Sequence, residues 1–464
     1  MTRNYIFKSV AAAALAALVF AAASPDASAR KKKKVEEPAP LQTSETGFYK
    51  DIFMDSGIGL TSRVDLPAAR YLNLQMEEFV STPGLSNSVQ MDTIIQNQML
   101  LGNAMDENGV LFFPDGAPRF RVIYVNGGNA MIHSKGMGQE GRDAFVNFIH
   151  AGGSYIGTCA GAFFACHYKL MGDAPDALTV DDYSPKYIGI WPGVVRNTVL
   201  SKSKTGVKIE PGSALLKYYD FGGDMYVDSV THNGGCYGIT DTLWPAKGEV
   251  LARYDLTVLE KQPKRNFNDF PVIWSIKEKD EWGRVISCGS HPEGVTYGDR
   301  LHLMCAMVKY AMDGNPGPKV KAELTMGETR RMDKYTHDNM PEYTAVGDKQ
   351  YHHFTVEVPE GTDTLKVSLG SVKARKNFDV YLFVNRDQFA FKDNATWQNI
   401  SLGVDKTVTI PAPKPGKYYI SVYCDTTVDA TLTEKGTQYS GRTDVLNGVP
   451  YTIGVNVKPA EPKK

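Results

Sequence analysis

The chain has 464 residues, too many for one domain of the usual size of about 100–200 residues, and its composition of 42% hydrophobic, 11% aromatic and 22% charged residues is ordinarily globular. That composition excludes a largely disordered, collagenous or multi-span membrane protein, and six scattered cysteines do not make a disulfide framework. Lys and Arg total 51 against 52 Asp and Glu, a net charge of −1, which gives no electrostatic reason to expect nucleic acid as a partner.

The N-terminus reads as an address. Arg3 and Lys8 precede a 14-residue apolar run from Val10 to Ala23, followed by the small-residue site Ala27-Ser28-Ala29. A charged start, a short apolar run and an A-x-A site describe a secretory signal peptide over residues 1–29. Fourteen residues of helix rise only about 21 Å, short of a hydrocarbon core of about 30 Å. No membrane span is therefore expected after cleavage, and the product is expected in the periplasm or outside the cell. The basic run Arg30–Lys34 argues the other way, since positive charge there resists translocation; an uncleaved anchor stays open as the alternative.

Residues 30–47 turn from basic to Glu/Pro-rich and read as a flexible leader. From 48 to 313, short apolar runs alternate with helical stretches, the pattern of an α/β sheet with parallel strands. Lys50–Met54 is expected as a strand and Leu66–Phe79 as a helix. Phe120–Val125 (FRVIYV) reads as a buried strand ending in Asn126-Gly127-Gly128, and Gly141–His150 as an amphipathic helix. Ser154–Ile156, Val272–Ile276 and Arg284–Cys288 are further strands, and Leu301–Met312 a closing helix. Residues 314–350 are polar and Pro/Gly-rich, as a linker is. Residues 351–464 change character: FTVEVPEGTDTLKVSLG, FDVYLFVN and KTVTIPAPKPGKYYISVYCD alternate β-branched and aromatic residues between turns, which predicts a small all-β sandwich.

The chemistry concentrates at two places. Ser154–Ile156 runs into Gly157-Thr158-Cys159-Ala160-Gly161 and then a helix-prone stretch from Ala162 to Leu170. G-x-C-x-G between strand and helix is the cysteine form of the nucleophile elbow. The sharp turn strains the nucleophile and tolerates only small neighbours, while the helix N-terminus favours thiolate and leaves the Ala160 amide for an oxyanion. A buried, inert thiol is the plain alternative for any cysteine, and it is preferred for Cys166, Cys236, Cys288, Cys305 and Cys424. The second place is Ser290-His291-Pro292-Glu293-Gly294, after the strand ending at Cys288. His291 and Glu293 are two apart and project to one side, so His291 can reach a thiol while Glu293 orients its ring.

Through YVNGGNA, GGSYIGTCAGAFFA, THNGGCY and SHPEG, residues 48–313 resemble the class I glutamine amidotransferase-like superfamily, in its biotin-protein-ligase N-terminal-domain type. The resemblance implies a flavodoxin-like α/β fold with Cys159 as nucleophile, His291 as general base and acid, and Glu293 as orienter. It also implies that a Gly127-Gly128 amide joins that of Ala160 in the oxyanion hole. Glutamine-hydrolysing members usually carry Gln four residues after the nucleophile, where this sequence has Phe163, so a true glutamine amidotransferase is not expected. The C-terminal part resembles bacterial pre-peptidase C-terminal domains, which accompany secreted hydrolases.

Other positions are read both ways. Ser56, Asn129, His232 and Asn233 are expected near the substrate, with turn or structural roles as the alternative. His352-His353 reads as ordinary surface. Phe354, Tyr381, Phe383, Tyr418 and Tyr419 read as core ahead of a glycan or cell-surface platform. No spacing matches a metal site and no phosphate-binding loop is present, so neither metal nor cofactor is expected. The leading expectation is an exported cysteine amidohydrolase or peptidase acting on an amide or γ-glutamyl-type bond of a small-molecule or peptide substrate. The alternative is a non-catalytic surface ligand- or glycan-binding module that keeps the fold.

Overall fold

A computed structural model describes residues 47–55, 65–79, 102, 106–170, 180–182, 185–240, 243–372, 378–433 and 436–459. The expected signal peptide, all of the expected leader before Gly47, and Ser56 lie outside these.

Among the described residues one sheet of eleven strands organises the α/β part. Its centre is a parallel block in the order Met76–Phe79, Lys50–Asp55, Phe120–Val125, Ser154–Thr158, Val285–Cys288. Beyond Val285–Cys288 the sheet continues antiparallel through Pro271–Ile276, Gly248–Asp255, Ser203–Ile209 and Tyr226–His232. The sheet is therefore mixed, and the expected parallel arrangement holds for the central block alone. The physical reason is that no α-helix crosses over between Ser203–Ile209 and Tyr226–His232, Gly248–Asp255 and Pro271–Ile276, or Pro271–Ile276 and Val285–Cys288, so each pair turns back antiparallel.

The central strands are buried on both faces, as their largely apolar runs require. Phe53, Ile123, Val125 and Tyr155 pack into one core together with helix Ala130–His150, while Ile52, Met54, Val122, Tyr124 and Ile156 pack into a second with helix Gly298–Met312. The strict alternation of these residues is the period of two that a strand imposes. Each fully buried Ile, Val or Phe contributes about 1.5–3 kcal/mol.

Several expected elements differ. Leu66–Phe79 is a five-residue helix, Pro67–Tyr71, followed by strand Met76–Phe79. Asn73 turns the chain at φ 53°, and parallel pairing to Lys50–Asp55 then outweighs the helical periodicity. The stretch Ala162–Leu170 splits likewise into helix Ala160–Ala165 and strand Cys166–Leu170, so Cys166 is not on the elbow helix.

The C-terminal part is two packed sheets. One runs in the order Val320–Glu323, Tyr351–Val358, Gly416–Cys424, Val380–Arg386, Trp397–Asn399; the other runs Thr329–Met332, Tyr451–Pro459, Thr362–Ser371, Lys406–Pro411. Two of these strands, Val320–Glu323 and Thr329–Met332, come from the stretch expected as a linker. The sandwich is also fused to the α/β part. Hairpin Asp429–Thr433 and Gly436–Ser440 extends the large sheet beside Met76–Phe79. Arg119 pairs with Asp348 at 3.0 Å, both side chains 1% exposed, and Lys321 and Gln350 both hold Asp115.

His352 and His353 are buried, not on the surface, because both faces of strand Tyr351–Val358 are covered. The His352 ring meets the Tyr451 hydroxyl at 2.8 Å and His353 the Ser421 hydroxyl at 2.7 Å. Phe354, Phe383 and Tyr418 are core residues, whereas Tyr381 and Tyr419 are half-buried.

Candidate functional site

Three adjacent parallel strands end together. Val125 pairs with Gly157, and Thr158 with Cys288, so the segments beginning at Asn126, Cys159 and Gly289 all leave the carboxyl edge of the sheet. In open α/β sheets that edge is where ligands gather. The sheet thus brings the Gly127-Gly128 turn, Cys159 and the His291 loop to one place from positions far apart in sequence.

Cys159 has φ 48° and ψ −100° between strand Ser154–Thr158 and helix Ala160–Ala165. A non-glycine residue held there carries about 1–3 kcal/mol of strain, of the kind that clusters at functional sites. Its tight turn needs the small neighbours the sequence supplies: a Cβ on Gly161 would run into the Val125 carbonyl oxygen. The N–H of Cys159 donates to the Cys288 carbonyl at 2.8 Å. The Ala160 amide stands at the start of the helix, where it has no intrahelical acceptor. The Cys159 thiol faces the Asn233 carbonyl at 3.7 Å.

The His291 ring lies within electrostatic reach of the Cys159 side chain and, through Nδ1, hydrogen-bonds to Glu293 Oε1 at 2.9 Å. That leaves Nε2 for the thiol. Burial pulls the His291 pKa down, but hydrogen bonding to Cys159 and Glu293 and the Glu293 charge outweigh it and raise it to about 10. The ring is therefore held protonated through the neutral range. Burial pushes the other five thiols up: Cys166 and Cys305 to about 12, and Cys236, Cys288 and Cys424 higher still. All six cysteines are free.

His232 is fully buried rather than lining a pocket. Its Nε2 meets the Thr198 hydroxyl at 2.6 Å and its Nδ1 the Ser290 hydroxyl at 3.1 Å. Burial, and then the charge of His291, lower its pKa to about 3, so it stays neutral. Tyr254 closes this group, donating to the Cys236 carbonyl at 2.8 Å. The His291 N–H donates to the Thr231 carbonyl at 2.8 Å, so the group braces the His291 loop from behind. Thr198 and Tyr254 were not legible as partners; Ser290 carried one signal, its place beside His291.

Asn129 caps helix Ala130–His150, its side chain accepting from the amides of Met131 and Ile132, which accounts for it without a substrate. Asn233 accepts from the Lys202 amide through its side chain, at 3.1 Å; what it turns toward Cys159 is its backbone carbonyl. Gly127 is buried and Gly128 exposed, the latter at φ 144°. Among the described residues no group of three His, Cys, Asp or Glu side chains converges as a metal-ligand set, and no helix is long and apolar enough to cross a membrane.

An elbow cysteine, a distant His-x-Glu and a glycine turn thus leave one sheet edge of an α/β part that is followed by a small sandwich. Residues 117–335 match the family model for the N-terminal domain of biotin-protein ligase, and residues 350–423 that for the bacterial pre-peptidase C-terminal domain. The chain thus combines a stretch that matches the biotin-protein-ligase N-terminal family with one that matches the pre-peptidase C-terminal family. A protein of Chlamydia muridarum (strain MoPn / Nigg), described only as uncharacterized, is 26% identical over 122 residues, 25% of this chain and 43% of that one. The chain thus spans less than half the length of the curated relative it matches. A solved glutamine amidotransferase is 17% identical, covering 46% of this chain and 92% of that chain with a TM-score of 0.27. The pre-peptidase C-terminal domain of a Bacillus anthracis collagenase is 14% identical, covering 30% and 99% with a TM-score of 0.18. Scores this low carry no argument about fold or function.

Proposed function

We propose that this chain is an exported cysteine-dependent amidohydrolase or peptidase that cleaves an amide or γ-glutamyl-type bond of a small-molecule or peptide substrate. The observation that carries the reading is Cys159, held at a strained elbow with its thiol against a buried His291 that is itself tied to Glu293. In this reading His291 already carries the proton, and the Cys159 sulfur, as the thiolate, bonds to the substrate carbonyl carbon. The displaced electron pair settles on the carbonyl oxygen, facing the amides of Ala160 and Gly127-Gly128. Collapse breaks the C–N bond, and His291 passes the proton to the departing amine. Water, deprotonated by the now neutral His291, then releases the acid and restores the thiolate. Phe163 stands where glutamine-hydrolysing relatives usually have Gln, and it is nearly buried with the Lys169 ammonium 4.4 Å from its ring centre. A substrate other than free glutamine follows. Export rests on the signal-like residues 1–29 and on the company of a pre-peptidase C-terminal domain.

A screen of amide, γ-glutamyl and peptide substrates tests this: turnover by the wild type must vanish in Cys159→Ala. A second reading, a ligand-binding surface module, is favoured by a cavity of about 440 Å³ between the two domains, lined among others by Phe113, Pro316, Lys321 and His352. Under it, Cys159→Ala leaves ligand affinity intact and the wild type turns nothing over.

A further inference from the structure

A second buried histidine–carboxylate pair lies on the same sheet edge, on the far side of the glycine turn from Cys159. Asp55 ends strand Lys50–Asp55, which pairs in parallel with Phe120–Val125. Its Oδ2 accepts a hydrogen bond from His133 Nδ1 at 2.6 Å, with both side chains fully buried. Its carbonyl oxygen accepts from Asn126 Nδ2 at 2.9 Å, and Asn126 is fully buried too. His133 sits in the first turn of helix Ala130–His150, its N–H on the Asn129 carbonyl at 3.1 Å.

These contacts bracket two residues. Asn126 immediately precedes Gly127-Gly128, Asn129 immediately follows, and the chain on both sides of the turn is fastened to Asp55. Gly128, at φ 144°, has a backbone freedom that its own side chain cannot restrain, so the direction of its amide must be set by the flanks. The His133 ring also lies 6.1 Å, centre to centre, from Phe164 on the helix that follows Cys159. The pair therefore touches both the flank of the glycine turn and the helix that follows Cys159. A buried polar pair is weak as a source of stability, because desolvation offsets its attraction, and its best-attested use is to fix one arrangement among several.

We propose that Asp55 and His133 are positioning residues that aim a Gly127-Gly128 amide at the oxyanion formed when Cys159 attacks a carbonyl. This rests on the reading of Cys159 as nucleophile, so the test must separate the two. Two probes do so on the full chain. Iodoacetamide alkylates the thiolate with loss of iodide and forms no oxyanion. With 4-nitrophenyl acetate, the Cys159 thiolate sulfur bonds to the acetyl carbon beside protonated His291, and 4-nitrophenolate leaves. Water then hydrolyses the thioester to acetate. That route passes through an oxyanion and needs the hole.

Asp55→Asn keeps the shape of the side chain, and His133→Asn keeps a donor near Nδ1. The expected result for Asp55→Asn is a loss of at least ~10-fold in the 4-nitrophenolate burst rate, with Cys159 alkylation within about 2-fold of wild type. His133→Asn should recover part of what His133→Ala loses in the burst. Equal loss of burst and alkylation, or an unchanged burst in a variant that melts like the wild type, overturns the positioning role. A wild type that neither alkylates nor releases 4-nitrophenolate faster than Cys159→Ala overturns the nucleophile reading itself, and this role with it.

Discussion

Glu293→Gln removes one charge and almost no volume, and its consequence can be worked from the geometry. Glu293 Oε1 lies 2.9 Å from His291 Nδ1, and the side chains are 2% and 8% exposed. Placing the charge centres about 4 Å apart in an effective dielectric of about 20 gives an attraction of ~4 kcal/mol. At ~1.4 kcal/mol for each pH unit, its loss should lower the His291 midpoint by about two to three units, from about 10 toward neutrality. The linkage has a definite sign. A histidine whose folded pKa is raised contributes stability that is fully present below its unfolded pKa of about 6.5 and is lost as pH rises through the folded value. For wild type that window runs from about pH 6.5 to about 10 and holds at most about 5 kcal/mol; in Glu293→Gln it shrinks to a narrow band just above 6.5. The assay is NMR titration of histidine-labelled protein, with the His291 signal among nine assigned by its loss in His291→Ala, run beside urea melts from pH 6 to 10. A wild-type midpoint near 6.5, or the same midpoint in both proteins, would refute the reasoning.

Other consequences follow from single contacts. Gly161→Ala drives a methyl group into the Val125 carbonyl and should cost about 1–3 kcal/mol, read as a lower Tm. Gly128→Val should fold and keep Cys159 labelling, but lose on the order of 100- to 1,000-fold in turnover of any amide the wild type cleaves. Arg119→Met strands the buried Asp348 carboxylate and should cost about 3–5 kcal/mol in urea unfolding, with no change in Cys159 alkylation. Because residues 320–323 and 329–332 are sandwich strands, limited trypsin digestion should not separate the two domains between Lys319 and Lys349; two stable fragments from a cut there would contradict the fused architecture.

What could be read from the sequence was what local pattern encodes. FRVIYV is a strand because no solvent-facing residue interrupts it, and G-x-C-x-G between a strand and a helix is an elbow because only small residues fit that turn. The contact between Cys159 and His291 was legible only as an order of motifs; parallel pairing across three strands makes it. Where tertiary pairing competes with local periodicity, the periodicity misleads, as at Leu66–Phe79. His352 and His353 read as surface because a strand buried on both faces looks no different from an edge strand with polar residues. His232 was expected at the substrate because it sits at a strand end, but Ser290 and Thr198 take both of its ring nitrogens. The Asp55–His133 pair gave no signal, since its members are 78 residues apart and neither sits in a motif.

The central claim is that Cys159 is activated by His291, and one measurement addresses it without knowledge of the substrate. Native protein is treated with limiting iodoacetamide at neutral pH, and the alkylated positions are read by peptide mass spectrometry over time. The account predicts carbamidomethylation of Cys159 well ahead of the other five cysteines, slowed at least ~10-fold in His291→Ala. Labelling of Cys159 no faster than the other five, or at the same rate in His291→Ala, would contradict it.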